Sequence, residues 1–188
     1  MSYAVYTTEG FVLGSTPSGE ASKTFWIYTK DFGLIKAKAQ GVRLLASKLR
    51  YAIEEYSLAT FSLVKGREVW RLTGAHDKKS PQENMLMRAR VLSLVRRLVQ
   101  GEEVNEKLFS ALLALFDEKY MALTREEQIA FESLALIHVL SSLGYLDVHI
   151  ILGQEAKDEF SVYNLPLIQS KKKEVIMEIN KALKETQL

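Results

Sequence analysis

Lys36 and Lys38 alternate with Ile35, Ala37 and Ala39, and just upstream Trp26 and Tyr28 alternate with Phe25 and Ile27. Successive side chains on a strand point to opposite faces, so each run puts its apolar residues on one face and its ammonium groups or rings on the other. If the runs pair across a three-residue loop, Asp31-Phe32-Gly33, Gly33 takes the left-handed position such loops favour. Ile27 then falls opposite Ala37, Phe25 opposite Ala39, Tyr28 opposite Lys36 and Trp26 opposite Lys38. A slip of one residue would bury the lysines. The outward face carries ammonium groups for phosphates (Lys36, Lys38) and two rings, Trp26 and Tyr28, as candidate base-stacking surfaces, which is the chemistry of single-stranded nucleic-acid binding. The rings are either open to solvent or covered by the helical segment that follows.

Further cations extend this set. Arg43, Lys48 and Arg50 flank a short helical stretch, and Lys65, Arg67 and Arg71 cluster at a second hairpin. The first group has Glu54 and Glu55 as potential balancing charges, and basic residues at a hairpin also guard strand edges. Net charge is only +2, but residues 1–78 hold 11 Lys/Arg against 7 Asp/Glu while residues 79–188 hold 14 against 16. Basic surface therefore belongs to the first part. Lys171, Lys172 and Lys173 open a helix, as a solvated face or as a contact for an anionic partner. Arg88, Arg90, Arg96 and Arg97 lie on a largely apolar helix, most with their stems at its margins, one or two available to a partner's carboxylates.

Enzyme chemistry finds no support. The chain has no cysteine, which removes disulfides, thiolate zinc sites and cysteine nucleophiles. His76, His138 and His149 have no ligand spacing, and there is no phosphate-binding glycine loop, dinucleotide fingerprint or nucleophile elbow. Glu102-Glu103 and Glu126-Glu127 read as loop and helix-start acids. A non-enzymatic protein without metal, cofactor or small-molecule substrate is expected. No basic segment followed by an apolar core precedes Glu9, and the longest uncharged stretch, Ser133 to Leu146, is too short to span a bilayer. The expectation is a soluble cytoplasmic protein with no membrane contact.

The elements that must position these residues follow from period and punctuation. Residues 3–14 read as a strand bulged near Gly10, and residues 16–22 as a loop. Two more strands follow in the central hairpin, then a short helix after Gly41. Residues 57–64 and 69–74 form a second hairpin through a Gly66-Arg67 turn that sets Leu63 opposite Trp70 and Phe61 opposite Leu72. Five strands with a short helix between the third and fourth fit the oligonucleotide/oligosaccharide-binding (OB) barrel. After His76 the texture turns helical. Ser80-Pro81-Gln82-Glu83 is a capping box starting a helix to about Gln100, a second helix fits Glu106 to Tyr120, and Thr124-Arg125-Glu126-Glu127 starts a third that ends near Gly144. The third is apolar nearly all round and so central. Residues 145–167 read as irregular, and a last helix, Lys171 to Glu185, should bury Val175, Ile176, Ile179 and Leu183. The fold class is α+β, with a five-stranded OB barrel over residues 1–78 and an all-α domain over 79–188.

These residues also carry a resemblance. Thr8-Glu9-Gly10, Val12-Leu13-Gly14, Gly19-Glu20, Thr29 with Gly33, Gly41-x-Arg43, Ser47-x-Leu49-Arg50 and Leu72-Thr73-x-Ala75, in this order and spacing, resemble the N-terminal domain of RecO, the bacterial recombination mediator. The run LALIHVLSSLGYL from Leu134 resembles that family's central helix. The resemblance implies an OB barrel packed on a helical domain, binding of single- and double-stranded DNA, strand annealing, and loading of RecA recombinase onto strands covered by single-stranded-DNA-binding protein. It implies two protein partners, RecR and the acidic C-terminal tail of that covering protein, and a cytoplasmic, nucleoid-associated location. Two departures stand out: the zinc-site cysteines of many members are absent, and Leu44 and Leu45 follow Arg43 where relatives often carry more basic residues. Two other readings stay open: an adaptor that uses the barrel as scaffold and binds a peptide tail through its helices, or an OB-fold protein for RNA as well as single-stranded DNA.

Overall fold

A computed structural model describes residues 4–80, 84–120, 122–153 and 164–186. It divides into two compact units, Met1–Met85 with Leu92–Asn105, and Leu86–Val91 with Glu106–Leu188. Residues 92–105 thus group with the β unit, where the sequence assigned them to 79–188.

The first unit contains β1 (Val5–Pro17), β2 (Lys23–Thr29), β3 (Gly33–Ala39), α1 (Leu49–Ala52), β4 (Leu58–Val64) and β5 (Trp70–Lys79). They close into a barrel in the order β1-β2-β3-β5-β4, with β3 and β5 parallel and the other pairs antiparallel. Val12, Phe25, Ile27, Ile35, Ala37, Phe61, Leu63, Trp70 and Leu72 fill the interior.

The faces of the central hairpin are as expected, but its register differs by two. Trp26 pairs with Lys36, Ile27 with Ile35 and Thr29 with Gly33, so the loop is Lys30-Asp31-Phe32. A slip of one in β3 would expose Ile35, Ala37 and Ala39, at about 1.5–3 kcal/mol for the isoleucine alone, and bury two lysines. A slip of two preserves every face, so turn chemistry decides. Thr29 Oγ1 accepts from Phe32 N (3.1 Å) and donates to Gly33 O (2.9 Å), placing the three-residue loop one residue earlier than predicted, which moves the register by two. Gly33 is left-handed as predicted, at φ 63°.

Three other details of the barrel differ. The β1 bulge lies between Val12 and Gly14. Gly10 instead permits close approach, since a Cβ there would lie 2.9 Å from Ile27 Cγ2 and 3.0 Å from Tyr28 O. In the second hairpin Leu63 pairs with Leu72 and Phe61 with Ala75, with an irregularity between Ser62 and Leu63. The connection is Lys65–Val69 rather than a two-residue Gly66-Arg67 turn.

The helix α2 (Met85–Leu98) starts beyond the predicted capping box, with Asn84 as a left-handed N-cap; positions 81–83 of that box lie outside the described residues. In the second unit follow α3 (Glu106–Leu113), α4 (Arg125–Ser142), α5 (Val148–Leu152), α6 (Leu165–Ser170) and α7 (Lys172–Glu185). The helix expected over 106–120 breaks after Leu113 into two 3₁₀ turns, Ala114–Phe116 and Glu118–Tyr120, because Asp117 is extended. The capping box of α4 forms, Glu127 N donating to Thr124 Oγ1 and Thr124 N to Glu127 Oε2. That helix is central: it packs on α3, α5, α6 and α7 and buries Phe131, Leu134, Ile137 and Leu140. Short helices occupy part of the stretch read as irregular, of which 154–163 lie outside the described residues. On α7 Ala182 is buried with Val175 and Ile179, whereas Ile176 points out, 44% exposed.

Candidate nucleic-acid interface

The outer face of β3 has the predicted character. Lys36 and Lys38 are exposed between buried Ile35, Ala37 and Ala39, and among the described residues neither is in an ion pair. The parallel pairing of β3 with β5 sets Lys38 beside Arg71. These two, with Lys65 and Arg67 from the β4–β5 connection, line a groove of about 750 Å³. Lys38 of the first hairpin and the three cations of the second therefore meet on one surface. Lys36 lines an adjoining groove of about 430 Å³ with Trp26, Gln100 and Arg96, and Glu68 and Trp70 border both.

Lys65 is partly engaged. Its Nζ lies 3.4 Å from Glu102 Oε2 and 5.2 Å from the centre of the Trp70 ring, while Trp70 Nε1 donates to Glu102 Oε1 at 2.8 Å. Arg43, Lys48 and Arg50 are exposed, but Arg43 and Arg50 border a different depression, with Lys23, Glu54 and Glu55, and Lys48 precedes α1. Arg43 Nη1 donates to Gly19 O at 3.3 Å. Glu54 accepts from Lys78 at 3.0 Å, and that hydrogen bond holds its carboxyl below the usual range.

The aromatic predictions need correction. Tyr28 is 1% exposed, with its hydroxyl donating to Asn105 O at 3.2 Å, and so offers no stacking surface. Burial pushes its phenol up to about 12. The cover is the segment after α2: Leu34 N donates to Gly101 O at 3.2 Å, and a Cβ on Gly33 would collide with the backbone of Glu103. Trp26 is half-buried, and the Arg96 guanidinium carbon lies 4.0 Å from the centre of its ring, so the ring already has a cation on it.

The helix arginines fare differently from one another. Arg88 is 1% exposed rather than at a margin, with its guanidinium carbon 5.3 Å from the centre of the Phe116 ring. Arg90 is committed to Glu132 through two hydrogen bonds, Nε to Oε1 (2.5 Å) and Nη2 to Oε2 (2.6 Å), which hold its guanidinium above the usual range. Lys171 Nζ donates to Ile151 O at 3.2 Å. Sequence reasoning left Arg96 out of the phosphate set because nothing in local spacing ties it to Trp26, seventy positions away. Among the described residues no cluster of three or more His, Asp or Glu could hold a metal, and no helix is long and apolar enough to cross a membrane.

A closed five-stranded barrel with parallel β3 and β5 and a helix between β3 and β4 makes this an OB-fold protein carrying helices after the barrel. Residues 1–81 match the family described as "Recombination protein O N terminal". The chain is similar to proteins named "DNA repair protein RecO": 28% identical to that of Alkaliphilus metalliredigens, over 73% of this chain and 56% of the relative. It is 29% identical to that of Rubrobacter xylanophilus (61% and 48%) and 29% to that of Thermodesulfovibrio yellowstonii (82% and 65%). These matches support the RecO family, with the likeness to its N-terminal domain carried by residues 1–81. The chain spans about half the length of the first of these relatives.

Proposed function

We propose that this chain is a non-enzymatic DNA-binding protein of recombinational DNA repair. It binds single-stranded DNA on the outer face of β3, anneals complementary strands, and helps load RecA recombinase onto strands covered by single-stranded-DNA-binding protein. The observation that carries the reading is the unpaired, exposed Lys36–Lys38 face continuing into the groove of Arg67 and Arg71. Double-stranded DNA fits the same cations, since phosphate contacts carry no sequence information. Annealing follows from neutralising two polyanions held close together, and needs no nucleotide hydrolysis. RecR and the acidic tail of the covering protein are the partners this reading brings, and no cofactor is required.

The test is Lys36→Glu/Lys38→Glu, scored in parallel for binding of a single-stranded oligonucleotide and of an acidic tail peptide. Loss of oligonucleotide binding with peptide binding intact is expected. Unchanged oligonucleotide binding would overturn the reading in favour of a peptide-binding adaptor.

A further inference from the structure

We infer that Arg96, on the last turn of α2, is a preorganised phosphodiester contact completing the outer face of the barrel. The inference rests on the reading of that face as a single-strand surface. Arg96 belongs to the same compact unit as the barrel. Its guanidinium carbon lies 4.0 Å from the centre of the Trp26 ring, and Trp26 is the cross-strand partner of Lys36. The indole thus has two cations about it, one stacked and one alongside.

The stack is built by the barrel. A Cβ at Gly14 would lie 2.5 Å from Arg96 Nη1, so a residue without a side chain leaves the room in which the guanidinium rests. Arg96 is half-buried, and among the described residues it has neither an ion pair nor a side-chain hydrogen bond. An aromatic ring attracts the cation but takes none of its five N–H donors in a conventional hydrogen bond. Arg90 on the same helix, by contrast, commits its fork to Glu132 through two hydrogen bonds. Arg96 instead keeps its donor fork uncommitted while its long side chain is held, which lowers the entropy lost when a planar anion docks.

What that anion is follows from the groove. Arg96 and Lys36 line it together, and of its two carboxylates Glu102 is committed to Trp70 and Lys65, leaving Glu68 against two cations. The groove adjoins the one lined by Lys38, Arg67 and Arg71. A row of cations along a strand face fits a chain of phosphates, and the guanidinium fork matches phosphate oxygens bidentately. Trp26 therefore acts as the platform for a phosphate-binding arginine rather than for a base.

The test compares Arg96→Gln and Arg96→Lys with the unaltered protein for binding of a labelled thymidine oligonucleotide, each checked for an unchanged thermal midpoint. Arg96→Gln should weaken binding about fivefold at about 0.1 M salt and make the log–log salt slope about 0.7 shallower, the signature of one lost phosphate. Arg96→Lys should keep the slope, because the charge remains, while losing part of the affinity with the fork. If Arg96→Gln folds normally and leaves both affinity and slope unchanged while Lys36→Glu/Lys38→Glu abolishes binding, the inference fails and the reading of the face stands. If neither set of changes alters binding, the reading itself fails.

Discussion

Glu102 is a carboxylate inside the groove where phosphates are expected, and neutralising it should strengthen DNA binding. Its Oε1 accepts from Trp70 Nε1 at 2.8 Å and its Oε2 lies 3.4 Å from Lys65 Nζ, with the two side chains 46% and 59% exposed. Glu102→Gln keeps an oxygen for the Trp70 donor and removes the charge that engages Lys65. An exposed pair of this kind is worth about 0.2–1 kcal/mol. Freeing Lys65 for a phosphate should then tighten single-strand binding by about 1.4- to 5-fold at moderate salt. The salt slope should steepen by about 0.7, since one more counterion is displaced from the strand. Fluorescence anisotropy with a labelled oligonucleotide measures both quantities, and urea unfolding should show a barrel changed by no more than about 1 kcal/mol. Unchanged or weaker binding by a folded Glu102→Gln protein would refute the assignment of Lys65 to the binding surface.

Two predictions concern the cover over β2. The Tyr28 phenol is raised from 10.0 to about 12 by burial, so the folded state holds its proton more tightly than the unfolded state. Its stability contribution is complete below pH 10 and disappears as pH rises toward 12, with about 1.4 kcal/mol lost by about pH 11. Tyr28→Phe should abolish that loss while costing about 1 kcal/mol at neutral pH, where the hydroxyl bond to Asn105 is gone; urea unfolding at both pH values checks it, and an identical alkaline loss in the variant contradicts it. Gly33→Ala forces a side chain onto a left-handed residue and into the Glu103 backbone. It should cost about 2 kcal/mol or more, read as a lowered thermal midpoint; an unshifted midpoint would count against the packing of residues 99–105 on the hairpin.

What the sequence made legible is what strong, local physics decides. The faces of β2 and β3 followed from strict alternation, because exposing Phe25 or Ile27 and burying Lys36 is expensive by every term. The capping box at Thr124 and Glu127 was legible because its partners are three residues apart. The hairpin register was not, because two registers that differ by an even step bury the same residues, and one threonine hydroxyl tips the choice. Nor was the fate of the rings. Trp26 and Tyr28 lie on one face by parity, yet one ends beneath residues 99–105 and the other beneath Arg96. The contacts join residues 77 positions apart for Tyr28 with Asn105 and 70 for Trp26 with Arg96, where periodicity carries no information. The clustering of Lys65, Arg67 and Arg71 was legible as a hairpin; that Lys38 joins them, through the parallel pairing of β3 with β5, and that Arg43 and Arg50 border another depression, was not.

The central claim is that the β3 face and the β4–β5 connection bind a polyanion through its phosphates. The most direct measurement is the log–log salt dependence of single-strand affinity for the unaltered protein and for Lys36→Gln/Lys38→Gln, between about 50 and about 200 mM salt. With Lys36, Lys38, Arg67, Arg71 and Arg96 in contact, the slope should be about −3.5, and the variant's about 1.4 shallower. A slope near zero in the unaltered protein, or the same slope in both, would contradict it.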